Sequence, residues 1–466
     1  MEKLRLKRDI GLFSAVSLNV GLMIGSGIFM TPQRILNLMG SPGGSLSIWA
    51  AGGVMAMLGA LCYAELGTMI KDSGGEYIYL LRTFGPFPAF LYIFLTVCLL
   101  SPTSQAAIAL SFAQYAVDPF YQGCSSPEIV VKCTAIVCII VVLFINCLGV
   151  KLAVFIMNIF MASKVIALLV IAIRGVGLLI NGQTVNLQNA FEGTVIGFGQ
   201  IGIAFYQVLW SYGGWSNANF VTEELKNPEV NLPRAVIISV LLVTCLYILV
   251  NVSYFAAMSS NELLSSGAVA ISWGNKILGK WMWLMPLSVV LSTFGAINSG
   301  TFSGGRLYYV AAREGHLPAV LSMIHVRRLT LSPAMIFTAV TATIIIITGD
   351  FSSIINYNSV CTWIFFSLTS ASLLYLRIKK PDLPRPYKVP ILIPILFFIM
   401  AVYLVLAPVI DSPQMEFLYI FGFMLISILF YILLVRYKLH PKFLHKVTLH
   451  LQLLLEVAPT DKYEDD

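Results

Sequence analysis

Residues 21–29 read Gly21-Leu22-Met23-Ile24-Gly25-Ser26-Gly27-Ile28-Phe29. They sit inside an apolar run spanning 10–37, longer than the roughly 20 residues that cross a hydrocarbon core. Glycine costs about 1 kcal/mol relative to alanine in a helix interior, so a Gly-x-x-x-Gly-Ser-Gly cluster at mid-span needs a reason. Two readings are open: small residues that let a neighbouring helix pack closely, or a helix that unwinds there and exposes backbone amides and carbonyls. A second cluster, Trp210-Ser211-Tyr212-Gly213-Gly214-Trp215, lies in the sixth apolar run. Interrupted helices at corresponding places in two halves of a chain point to a substrate site inside the membrane.

The rest of the sequence supplies that membrane context. Of 466 residues, 58% are hydrophobic and only 11% charged, with a mean hydropathy of +0.85. A soluble domain carries about 25% charged residues, so this chain cannot clothe a water-facing surface. Apolar windows fall at 10–37, 46–70, 86–116, 129–149, 153–180, 197–222, 234–258, 280–312, 333–349, 353–376, 388–410 and 415–436. They predict an all-α membrane protein of twelve transmembrane helices. Helices one to five (10–180) and six to ten (197–376) then form an inverted 5+5 repeat within a core of 10–376, helices one and six being the broken pair. Two further helices lie in 388–436, between tails at 1–9 and 437–466.

Lysine and arginine number 22 on the side of the N-terminus and 5 on the other, which puts both termini in the cytoplasm. The formal charge of +7 therefore reflects topology, and no continuous basic stripe suggests nucleic acid. Of eight cysteines, seven lie in or beside apolar runs and read as small core side chains. Cys124 falls in the loop 117–128, which this topology makes extracellular and oxidising, where an exposed thiol finds a partner.

Few charges lie within the spans, and each is a functional candidate by default. Lys164, in helix five, either snorkels to the interface or donates to backbone carbonyls in place of a bound sodium ion. Glu65 reads as an interfacial ion pair or a snorkelling group, and Arg306 as a cytoplasmic-end anchor. Glu223 and Glu224, after helix six, read either as a cytoplasmic gate closed by salt bridges or as an ordinary solvated loop. The amphipathic stretch 447–456 either lies on the membrane or covers the cytoplasmic mouth. There is no His-Glu-x-x-His, no phosphate-binding glycine loop and no Cys-x-x-Cys, so neither an enzyme, a metal site nor a cofactor is expected.

Several motifs carry a family resemblance: Gly25-Ser26-Gly27-Ile28-Phe29 with Thr31-Pro32, Tyr63-Ala64-Glu65-Leu66-Gly67, Gly214-Trp215 leading to Val221-Thr222-Glu223-Glu224, and Arg313-Glu314-Gly315-His316-Leu317-Pro318. With these the chain resembles the amino acid, polyamine and organocation transporter superfamily, and within it the light subunits of heteromeric amino-acid transporters. Pro119-Phe120-Tyr121 before Gly123-Cys124, Asn186 to Gly193, and the tail from His450 to Pro459 are similar to the b-zero-plus-type light chains.

The resemblance implies a LeuT-like fold in the plasma membrane, sodium-independent obligatory exchange, and a disulfide from Cys124 to a type II glycoprotein heavy chain. It places Lys164 at the vacant sodium position and makes Trp210 an outer aromatic gate. Ile24, Gly25, Ser26, Gly27, Ser211 and Gly213 fall at substrate-binding positions. Gly213 stands where b-zero-plus-type relatives carry an aspartate that favours cationic amino acids and cystine. Without that carboxylate an ionised side chain in a dry pocket lacks a partner, so the residues favour exchange of small neutral amino acids. The alternatives are b-zero-plus-like exchange of cationic amino acids and cystine for neutral ones, and a transport-inactive sensor or assembly partner.

Overall fold

The computed structural model describes residues 8–121, 126–266, 268–348, 351–411, 415–437 and 442–459. In chain order its helices are α1 (Leu12–Met23), α2 (Gly27–Met39), α3 (Pro42–Met69), α4 (Glu76–Phe84), α5 (Pro86–Leu95), α6 (Ser101–Val117), α7 (Glu128–Leu148), α8 (Val150–Ile180), α9 (Phe198–Tyr212), α10 (Pro228–Ala257), α11 (Ser260–Leu264), α12 (Val269–Ile277), α13 (Leu284–Arg313), α14 (Ser332–Thr348), α15 (Phe351–Lys379), α16 (Leu392–Asp411), α17 (Met415–Phe430) and α18 (Lys442–Leu454). Each apolar window coincides with helix. Among the described residues, seven helices are long and apolar enough to cross a membrane alone, and α1 with α2, bent by 44°, makes an eighth span. Apolar stretches within α14, α16 and the α17 region are shorter.

Local sequence sets the helix ends. Proline opens α3, α5 and α10, where its missing N–H costs nothing. Ser41 caps α3 by accepting from the Gly44 amide at 3.1 Å. In the third window, Pro102 removes a donor and crowds the carbonyl four residues back. The chain takes this up as a π-helical turn over Thr96–Leu100 between α5 and α6. The short helices α4, α11, α12 and α18 fall outside the apolar windows. Of the cysteines read as core, Cys98, Cys133 and Cys245 are instead exposed on the bundle surface.

Buried charges brace one end of the bundle. Glu65 on α3 is fully buried and accepts from Arg377 of α15, whose Nε lies 2.9 Å from Oε1 and whose Nη2 pairs with Oε2. The Val389 amide adds a third bond at 2.9 Å. The pair expected at a wet interface is therefore inside the protein. At the same end, the tail is docked: β2 (Val457–Pro459) pairs antiparallel with β1 (Met323–His325). Leu451, Leu455 and Val457 pack on Leu317, Val320 and Leu321, while Leu449, Leu453 and Leu454 are exposed, so the chain itself covers only part of the apolar side of this stretch.

Removing one partner of a buried ion pair leaves the other unpaired and costs about 3–5 kcal/mol. Glu65→Gln should accordingly lower the thermal unfolding midpoint of the detergent-solubilised protein, and an unchanged midpoint would show that the Glu65–Arg377 pair is not a brace.

Candidate functional site

Both glycine clusters are breaks. α1 stops at Met23, Ile24 to Ser26 are non-helical, and α2 starts at Gly27. α9 stops at Tyr212, Gly213 turns extended, and a 3-10 segment follows over Asn217–Glu224. Gly214 has φ 108°, and a Cβ there would lie 2.7 Å from the Leu22 Cβ, so glycine is required by conformation and by space. A Cβ on Gly27 would come within 2.7 Å of the Ser211 Cα. The two breaks touch.

The exposed backbone of α1 is held by side chains from three other helices. Lys164 of α8 is fully buried, and its Nζ donates to the carbonyls of Gly21 and Ile24 at 2.7 Å each and of Ser292 at 2.9 Å. Three donors meet three acceptors, the full capacity of an ammonium. Ser292 Oγ of α13 donates a further bond to Ile24 O at 2.8 Å. Tyr247 O–H of α10 lies 2.7 Å from Met23 O and 2.9 Å from Ser211 O, so one proton is shared between the two breaks. The snorkelling alternative for Lys164 is excluded by this geometry.

The amide end of α2 is left open. No side chain caps it at Ser26, and of the first-turn amides, which lie beyond the reach of intrahelical carbonyls, Phe29 N donates to Ser26 O at 3.2 Å. Gly25, Ser26 and Gly27 line a cavity of about 180 Å³ together with Trp210, Gly213 and Asn358, among others. No Asp, Glu, Lys or Arg is among its lining residues. Two residues of the expected site are placed otherwise. Ile24 spends its carbonyl on Lys164 and Ser292, and Ser211 turns away to share a proton with Thr31 Oγ1 at 3.0 Å and to donate to Gln207 O. A second cavity, of about 230 Å³, shares Leu22, Ser104, Asn358 and Thr362 with the first and adds Glu76 and Tyr92.

Beyond the second cavity lie two acid–base pairs. Glu224 is buried and pairs with Arg306 of α13, whose guanidinium also stacks 3.4 Å from the Phe302 ring centroid and donates to Phe302 O at 2.8 Å. Glu223 accepts from Arg313 at 2.9 Å and from the Ser73 amide at 3.1 Å. The segment 223–226 is thus no solvated loop, and Arg306 is no surface anchor. The chain start joins the same cluster, as Ile10 N donates to Glu224 O at 3.1 Å and Lys226 N to Ile10 O at 2.9 Å. Cys124 lies outside the described residues.

Sequence reasoning missed Tyr247, Ser292, Asn358 and Glu76, which look like ordinary spans or loops until the fold assembles them. Glu76 alone carried a signal: a charge immediately after Gly74-Gly75, where a tight turn can carry a loop residue inward.

A bundle of apolar helices with two touching breaks beside a cavity defines a membrane transport protein. Residues 10–435 match the profile of the family described as Amino acid permease, and the chain belongs to that family. It is 49% identical to the b(0,+)-type amino acid transporter 1 of Homo sapiens over 98% of this chain and 94% of that protein. It is 41% identical to the human cystine/glutamate transporter over 99% and 92%. Against the large neutral amino acids transporter small subunit 2 of Rattus norvegicus it is 43% identical over 88% and 77%.

Hydrogen bonds to a charged group contribute roughly 1.5–3 kcal/mol each. Lys164→Met keeps the stem and strips the donor from three carbonyls, so amino-acid uptake should fall by at least about tenfold in protein that still reaches the membrane; uptake within twofold of the parent would show that the break holds without the ammonium.

Proposed function

We propose that this chain is the transport subunit of a heteromeric, sodium-independent amino-acid exchanger in the plasma membrane. In this reading it has twelve spans in a LeuT-like inverted 5+5 repeat, and both termini are cytoplasmic. The observation that carries it is the uncapped amide end of α2 at Ser26 and Gly27, lining a cavity beside the second break. Such an end binds a carboxylate through N–H groups and the helix dipole. Lys164 fills the carbonyl end, where a coupling cation would otherwise bind, and so supports independence from Na⁺. The cavity sits between the two breaks, as alternating access requires.

For substrate range, the likeness to the b(0,+)-type transporter over nearly the whole chain favours exchange of cationic amino acids and cystine for neutral ones, ahead of the neutral-only range suggested by Gly213. The neutral reading stays second because of one observation: no ionisable side chain lines the cavity between the breaks. A heavy chain joined through Cys124 completes the proposal.

The test is uptake into proteoliposomes holding the chain with a type II glycoprotein heavy chain, using labelled serine, leucine, arginine and cystine, with and without Na⁺ and internal amino acid. The expected result is arginine and cystine uptake that depends on internal neutral amino acid and ignores Na⁺. Serine and leucine uptake without arginine would establish the neutral range, and no uptake by inserted protein would remove the exchanger reading. In Cys124→Ser, the high-molecular-weight band on a non-reducing gel should disappear; its persistence would remove Cys124 as the link.

A further inference from the structure

Among the described residues three carboxylates are buried: Glu65, Glu76 and Glu224. Glu65 is paired with Arg377 and Glu224 with Arg306. No lysine, arginine or histidine of the described chain pairs with Glu76. It is the first residue of α4, after Gly75 at φ 52°, and this turn carries it under the bundle, where it is 4% exposed. Tyr92 O–H donates to its Oε2 at 3.2 Å, and the hydroxyls of Tyr63 and Ser216 lie beside it. Hydroxyls can solvate a carboxylate, but they leave its charge uncompensated, which is costly at such depth.

Glu76 lines the second cavity, and aromatic rings of Tyr92, Phe220, Phe365 and Phe366 line it too. A carboxylate beside aromatic faces is the chemistry that holds an ammonium or guanidinium group. The cavity is joined to the one between the breaks through the shared wall of Leu22, Ser104, Asn358 and Thr362.

We propose that Glu76 is the specificity-determining carboxylate for cationic side chains. With the α-carboxylate of the substrate at the Ser26–Gly27 amides, the side chain extends past Ser104 and Asn358, and its terminal charge meets Glu76. This inference rests on the cationic range given above and names the residue that makes such a range possible although position 213 is glycine. A neutral substrate leaves Glu76 as it stands in the empty site, among its hydroxyls.

The test compares arginine and leucine exchange in proteoliposomes for the parent, Glu76→Gln and Glu76→Asp, each with the heavy chain. In Glu76→Gln, arginine exchange should fall at least about tenfold while leucine exchange stays within about twofold. In Glu76→Asp, which keeps the charge and withdraws it by one methylene, the KM for arginine should rise with the maximal rate and leucine exchange unchanged. Equal loss of arginine and leucine exchange in Glu76→Gln would make the carboxylate structural and overturn the proposal. Unchanged arginine exchange in both variants would overturn it while leaving the cationic range intact. Should Glu76→Gln fail to accumulate, the KM shift in Glu76→Asp decides. A parent that exchanges leucine but never arginine removes the range and this subsite together.

Discussion

The bond from Lys164 to three backbone carbonyls is the interaction on which the rest of the structure depends. In a bilayer there is no water to satisfy an interrupted helix, and each orphaned group costs several kcal/mol. A chain that breaks a helix inside the bundle must therefore bring its own partners. Lys164 does so for Gly21, Ile24 and Ser292 at once, tying α1, α8 and α13 together at one nitrogen. Its own desolvation is offset only because all three donors are used. Tyr247 extends the arrangement to the other break through Met23 and Ser211. Asn19 completes it further along by accepting from the Ala218 amide at 2.8 Å.

The break so held is polar in one direction. Its carbonyl end is spoken for, and its amide end faces the cavity uncapped. On the proposed reading, a zwitterion entering there meets donors for its carboxylate at Ser26 and Gly27. For its ammonium, the carbonyls of Met23 and Ile24 are already engaged, so acceptors must come from elsewhere on the wall. Asn358, Ser359 and Thr362 of α15, and Ser104 of α6, are polar residues of that lining. On that reading part of the recognition moves from helices one and six, where the sequence pattern put all of it, to α6 and α15.

What could be read from the chain and what could not divides along sequence separation. Apolar windows, glycine clusters and an isolated lysine among aliphatics are local signals, and each coincides with a structural feature. Arg306 and Glu224 lie 82 positions apart; nothing near either residue names the other, so a buried pair reads as an anchor and a loop. Glu76 stands between Lys71, Asp72 and Arg82, a composition that says solvated loop, and only the turn at Gly74-Gly75 turns it inward. Position in a motif puts Ile24 and Ser211 at the substrate, but the rotation of each residue about its break decides which way it faces. The tail from 442 to 459 shows a fourth limit. Its amphipathic pattern announces an apolar face without saying what covers it: Leu451 and Leu455 pack on Leu317, Val320 and Leu321, more than a hundred positions earlier, while Leu449, Leu453 and Leu454 stay exposed.

In the proposed exchanger the cavity must open in turn to either side, and two kinds of contact stand around it. Trp210, Trp215, Trp363 and Phe366 line it, and Trp215 and Trp363 both pack on the Phe366 ring. Arg306 with Glu224 and Arg313 with Glu223 form the second kind. Separating the buried pair in a dry site would cost about 3–5 kcal/mol, enough to hold the open form to well below one part in a hundred. On the proposed reading, exchange at a useful rate requires that the pair be hydrated as it parts. The second cavity borders α13 at Ser303 and Leu307, on either side of Arg306 in sequence, so widening it there would admit water to the guanidinium.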